Sequence, residues 1–167
     1  MKFELIKLHQ LCGRRATVYS VSIDDEEYTL FEKFLIENQK EYEKEVSHIK
    51  SQIKAMAQST GVRDRYFKKP EGKPGQDIWD LRDQPYRHLR MYCMRITGAV
   101  IILGGGGPKP KEIRAFQENP KLHWENNQLR MVSDAITQRI KDGDIYWIND
   151  GLELAGDFIF DDPTDDP

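Results

Sequence analysis

The chain has only two cysteines, Cys12 and Cys93, among 167 residues. Two thiols cannot build a disulfide framework or, by themselves, a zinc site, and scarce cysteine fits a reducing compartment. A cytoplasmic setting is the expectation. No long apolar run exists either. The longest, Ala99 to Leu103, falls far below the ~20 residues of a membrane-spanning helix, so no membrane partner is expected. The opening Met1-Lys2-Phe3-Glu4 has no apolar core or small-residue cleavage site and does not read as a signal peptide. No repeat of solenoid length is present. The histidines, His9, His48, His88 and His123, lack metal-ligand spacing, and no serine or cysteine sits in a G-x-S-x-G-like setting. Neither a metal, a cofactor nor a nucleophilic triad is expected.

What is present is a polar chain with enough apolar side chains for a core. Hydrophobic residues make up 38% and charged residues 32%, with three Trp, seven Tyr and seven Phe to pack. The length predicts one domain, over 1–156, followed by an acidic solvated tail over 157–167. The net charge of -3 hides a split. Residues 1–61 carry 9 basic and 10 acidic side chains, residues 62–123 carry 13 and 7, and residues 124–167 carry 3 and 11. A basic middle precedes an acidic end, so the total charge says little about any one surface.

Residues 2–9 and 15–23 read as paired strands around Leu11-Cys12-Gly13-Arg14. Alternation in the second puts Ala16, Val18 and Ser20 on one face and Thr17, Tyr19, Val21 and Ile23 on the other. Asp24 with Glu27 has the form of a capping box, opening a helix that carries Leu30, Phe31, Phe34 and Leu35. Tyr42, Val46, Ile49, Ile53 and Met56 recur at helical spacing and predict a second helix over 40–57, stopped by Gly61. A basic loop over 62–75 holds Arg63, Arg65, Lys68, Lys69 and Lys73. Strands follow over 77–82, 87–96 and 99–103, the last two joined tightly at Thr97-Gly98. The third is apolar throughout, which predicts a central strand covered on both faces. Gly104 to Gly107 are expected to end the sheet. Ile113 and Phe116 suggest a short helix. Asn119 and Pro120 then cap a longer one, carrying Leu129, Val132, Ile136 and Ile140 and ending before Gly143. Helices grouped before an antiparallel sheet read as α+β.

The glycine run is not a phosphate loop, because no Lys-Ser/Thr follows it. It reads either as a flexible turn or as a side-chain-free edge beside a binding groove. In 87–96, alternation places His88, Arg90, Tyr92, Met94 and Ile96 on one face. An arginine within a sheet face is paired, with Asp80 or Asp83 as candidates, or exposed, or aimed at an anion. The surplus of Arg and Lys beside a few Tyr and His suits phosphate binding and metal-free stabilisation of a phosphorane-like transition state.

Taken in order, Ile78-Trp79-Asp80-Leu81-Arg82, Leu89-Arg90-Met91-Tyr92-Cys93, Val100-Ile101-Ile102-Leu103-Gly104-Gly105-Gly106 and Lys109-Pro110-Lys111 before a helix resemble the RelE/ParE/HigB superfamily of bacterial toxins. The resemblance implies N-terminal strand(s) and a helical hairpin packed on a three- to four-stranded antiparallel sheet, with a C-terminal helix. It also implies a metal-independent, ribosome-dependent mRNA endoribonuclease that inhibits translation. The implied partners are mRNA on the ribosome and a cognate antitoxin protein of helix-turn-helix type. By position, Arg90 would contact the scissile phosphate, and Lys109 and Lys111 would supply charge near it. Tyr92 or His88 would stack on a base or move a proton. Lys68 and Lys69, with Arg87 and Arg114, would bind the RNA backbone. The chain is longer than typical members. ParE-like members share the fold yet act on DNA gyrase, so the alternative is a non-catalytic module that binds a protein target such as gyrase.

Overall fold

The computed structural model describes residues 1–68, 78–81, 86–109 and 119–161. The two amino-terminal stretches form the expected hairpin. Strand β1 (Phe3–Lys7) pairs antiparallel with β2 (Thr17–Ile23), from Phe3 opposite Ile23 to Lys7 opposite Tyr19. The next helix, α1 (Leu30–Asn38), starts later than the Asp24 cap predicts. Asp24 and Asp25 sit at φ +49° and +59° in a turn, and the Asp24 carboxylate accepts from the Lys2 backbone N–H at 3.0 Å. The capping box is instead Thr29 with Glu32, each side chain accepting the other's backbone N–H. Helix α2 (Glu43–Ala55) buries Val46, Ile49 and Ile53 as the spacing predicts. Its chain then widens through a π-turn over Met56–Thr60, which Gly61 ends at φ +79°.

The sheet is larger than the expected three or four strands and is not wholly antiparallel. Strands β3 (Phe67–Lys68), β4 (Ile78–Leu81), β5 (Leu89–Thr97) and β6 (Val100–Pro108) form an antiparallel meander. β6 then pairs in parallel with β2, from Thr17 opposite Val100 to Ser20 opposite Leu103. That pairing fuses the hairpin to the meander, in the order β3-β4-β5-β6-β2-β1-β9. Residues far apart in sequence make the junction, so no local pattern announces it. The glycines do not end the sheet. Gly104 to Gly107 are buried within β6.

Helix α3 (Pro120–Asp142) has the predicted ends: the Asn119 side chain accepts from Leu122 N–H at 3.0 Å, Pro120 takes the first turn, and Gly143 closes it at φ +82°. A small hairpin follows, β7 (Ile145–Ile148) with β8 (Glu153–Gly156). β9 (Ile159–Phe160) then pairs with β1. Phe160 is buried and stacks on Phe3 at 4.2 Å between ring centroids. The folded part therefore runs past the boundary expected at 156, because Phe160 fills the edge of the core. The short helix around Ile113 and Phe116, and most of the acidic tail, lie outside the described residues. No helix among the described residues is long and apolar enough to cross a membrane.

Strand alternation divides the interior in two. Tyr19, Val21, Tyr92, Met94 and Ile102 face α3 residues Leu129, Val132 and Ile136. Val18, Met91, Cys93, Ile101 and Leu103 face Phe31, Phe34, Val46, Ile49 and Ile53 of α1 and α2. β6 is thus a central strand covered on both faces, inside an α+β fold. The β7–β8 hairpin and its turn are fastened to β1 and β2 by polar bonds. The Thr17 hydroxyl donates to the Leu152 carbonyl at 2.6 Å, and Lys7 pairs with Glu153 at 2.7 Å. The buried Tyr19 phenol donates to the Leu154 carbonyl at 3.2 Å and accepts from its N–H at 3.0 Å. Burial lifts that phenol to about 12, so it stays protonated as a donor. Tyr19→Phe strands both Leu154 backbone groups. It should lower stability by about 1–3 kcal/mol in urea unfolding, and a midpoint equal to wild type would show that water replaces the phenol.

Candidate phosphate-binding site

The site is set by register at the end of the meander where β5 begins. Lys68 lies opposite Asp80, Asp80 opposite Tyr92, and Arg90 opposite Gly107. Asp80 and Arg90 are therefore diagonal neighbours on adjacent strands, within reach of long side chains. An Arg90 guanidinium nitrogen meets the Asp80 carboxylate at 2.6 Å, with the two side chains 16% and 3% exposed. Of the readings open for Arg90, the pair with Asp80 is the one present. Beyond Gly107 the ladder continues one step, the Lys109 N–H donating to the His88 carbonyl at 2.7 Å. This brings Lys109 against Lys68 and Arg90.

Among the described residues, these three cations gather beside the Asp80 carboxylate. Lys109 shows the consequence. Burial, then contact with Lys68 and its charge, then the Arg90 charge, lower its ammonium from 10.5 to about 8, with Asp80 pulling the other way. The excess positive charge is what a phosphate dianion or phosphodiester would neutralise. The Arg90–Asp80 pair holds the guanidinium in place, and Gly107 opposite it is covered by the Lys121 side chain of α3.

His88 is held differently. The buried Glu45 carboxylate of α2 accepts the His88 N–H at 3.0 Å and the Leu89 N–H at 2.5 Å. It also contacts His88 Nδ1 at 3.0 Å, while the imidazole is 67% exposed and stacks on Tyr42. Glu45 substitutes for a strand partner where β5 begins and fixes the ring's orientation. Its signal in the sequence was its place on the apolar stripe of α2, four residues before Ile49, where an unpaired acid would be costly. Arg87 is exposed at φ +96°, a conformation unfavourable for a side chain of this size.

Tyr92 does not belong to the surface. It is 1% exposed in the core facing α3, which corrects its assignment as a base-stacking or proton-moving residue. The structure brings together Lys68, Arg90 and Lys109, while His88, just before β5, turns its ring to Glu45 and Tyr42 at the start of α2. Lys69, Lys111 and Arg114 lie outside the described residues. Among the described residues, no three of His, Cys, Asp or Glu gather as a metal-ligand set. No family model matches the chain, and neither a curated protein nor a solved structure does.

A cation with a lowered pKa destabilises the fold while it is charged. The folded chain loses the Lys109 proton near 8, and the unfolded chain holds it to about 10.5. The penalty is therefore present in full below pH 8, and stability rises with pH between those values. Lys109→Met should raise the melting temperature at pH 7 and flatten the rise across that window. A melting temperature that falls, with the pH dependence intact, contradicts this.

Proposed function

We propose that the chain is a RelE/HigB-like toxin, a metal-independent endoribonuclease that cuts mRNA on the ribosome and is held in check by a helix-turn-helix antitoxin. The observation that carries this reading is the gathering of Lys68, Arg90 and Lys109 beside the Asp80 carboxylate. Support also comes from the order of β2, α1, α2 and the antiparallel β3, β4, β5 and β6, which accords with the strand, helical hairpin and antiparallel strands that the resemblance implies.

In this chemistry the ribose 2′-hydroxyl attacks the adjacent phosphorus. The new 2′-O–P bond forms as the P–O5′ bond breaks, leaving a cyclic phosphate and a 5′-hydroxyl. One group must take the 2′ proton, another must protonate the leaving oxygen, and cations must hold the charge on the equatorial oxygens. Arg90 and Lys68 fit the last task as fixed donors. Lys109 titrates close enough to neutrality to exchange a proton. His88, oriented by Glu45 through Nδ1, offers its other ring nitrogen to solvent.

Expression of the wild type should arrest bacterial growth, with new transcript 5′ ends mapped inside coding sequence. Arg90→Ala should lose about 10²-fold or more in cleavage, the scale of removing one transition-state donor. Lys68→Ala, which leaves the Arg90–Asp80 pair standing, should weaken cleavage without unfolding the protein. Equal arrest by all three chains rejects this site. Arrest with intact transcripts rejects the nuclease and favours a protein target such as gyrase.

A further inference from the structure

A second cationic surface lies at the far end of the same sheet, seven residues of β6 from the Arg90 end, or about 23 Å at ~3.3 Å per residue. Two chain segments build it. The turn before β2 supplies Arg14 and Arg15. The segment after α2 supplies Arg63 and Arg65. Backbone bonds latch the segments together: Arg15 and Ala16 both donate to the Ala57 carbonyl, at 2.8 and 3.2 Å, and Val62 donates to Gly98 in the β5–β6 turn at 2.9 Å. The π-turn that ends α2 places Thr60 and Gly61 between them. The result is an open cleft of about 810 Å³ with Arg14, Arg15 and Arg63 on its walls and Gly61 and Gly98 on its floor. An adjoining cleft of about 400 Å³ shares Arg15, Thr60 and Arg63 and adds Arg65.

These arginines do little to hold the fold. All four are exposed. Arg14 and Arg63 each donate to one backbone carbonyl, and Arg65 to the neighbouring Tyr66 phenol. Among the described residues none of the four has a carboxylate at ion-pair distance. The one acid on the cleft, Asp64, is taken by Arg95 at 2.8 Å. Among the described residues, four guanidiniums thus line the clefts beside one carboxylate that is already paired, in a chain whose net charge is -3. Guanidiniums match phosphate oxygens two at a time, and a glycine floor lets a backbone approach closely. An arginine-walled open cleft tracks a polyanion rather than enclosing a small molecule.

We propose that Arg14, Arg15, Arg63 and Arg65 form a second binding site, for the phosphate backbone of single-stranded RNA, separate from the Arg90 cluster. It rests on the RNA reading for the identity of the polyanion, but it uses neither Arg90 nor cleavage. A strand held at both sites would lie along the sheet from one end to the other.

The test is binding of a fluorescein-labelled 2′-O-methyl RNA strand, which has no free 2′-hydroxyl to attack, to the full chain, followed by anisotropy across a salt series. The paired variants Arg14→Ala/Arg15→Ala and Arg63→Ala/Arg65→Ala should each weaken binding by about tenfold at low salt. Each should also reduce the slope of log affinity against log salt, by about 0.7 for every phosphate that is no longer neutralised. The control Lys40→Ala/Lys50→Ala removes the same charge from exposed positions on the helical hairpin and should change little. Unchanged affinity in the arginine variants overturns the site. So does an equal loss in the control, or competition by polyglutamate as strong as by RNA, which would mark a general polyanion or acidic-protein surface. Failure of the nuclease reading shows elsewhere, as intact transcripts in cells, and leaves this binding result standing.

Discussion

Four consecutive glycines in the most buried strand set the geometry on which the rest depends. β6 joins the parallel pairing with β2 to the antiparallel pairing with β5, and helices cover both its faces. At Gly104 an added methyl would press on Leu129 of α3. At Gly105 it would strike the Glu125 carboxylate, and at Gly106 the Arg90 carbonyl. Only strand backbone without side chains lets α3 lie this close and lets β5 cross β6 at its bulge. At Gly107, where the strand nears its end, the Lys121 side chain of α3 takes the space a side chain would fill.

Charge is distributed with a cost that the fold itself does not require. Lys68, Arg90 and Lys109 would be more comfortable apart, and the lowered Lys109 ammonium records the repulsion together with burial. Asp80 offsets part of it and fixes Arg90. A phosphate group is a ligand that would relieve this repulsion. The basic middle of the sequence is not one patch. Folding gathers Lys68 with Arg90 and Lys109 towards one end of β6 and Arg63, joined by Arg14 and Arg15, towards the other, with Arg65, three residues before Lys68, between them.

Where a signal is local, the sequence is enough. The spacing of Val46, Ile49 and Ile53, the Asn119-Pro120 start of α3, its Gly143 stop and the turn at Thr97-Gly98 all appear in the fold. Signals fail where partners are distant or elements are short. The parallel β2–β6 pairing depends on residues more than eighty positions apart, and β3 and β9 are two residues each. Glycine misleads because turn residues and close-packed strand residues look alike until α3 is placed. At the site, alternation put Arg90 and Asp80 in reach of each other, but it could not tell that Tyr92 lies under α3. Glu45 was hidden because its task, receiving the N–H groups of His88 and Leu89, exists only once α2 meets β5.

The central claim is that this crowded set of cations is built for phosphate. NMR titration of the Lys109 side chain, alone and with a 3′-phosphorylated nucleotide, tests it most directly. The free protein should titrate at Lys109 near 8, and bound phosphate should move that value toward 10.5 as the repulsion is neutralised. A Lys109 that titrates at the ordinary lysine value, unmoved by the nucleotide, would contradict the account.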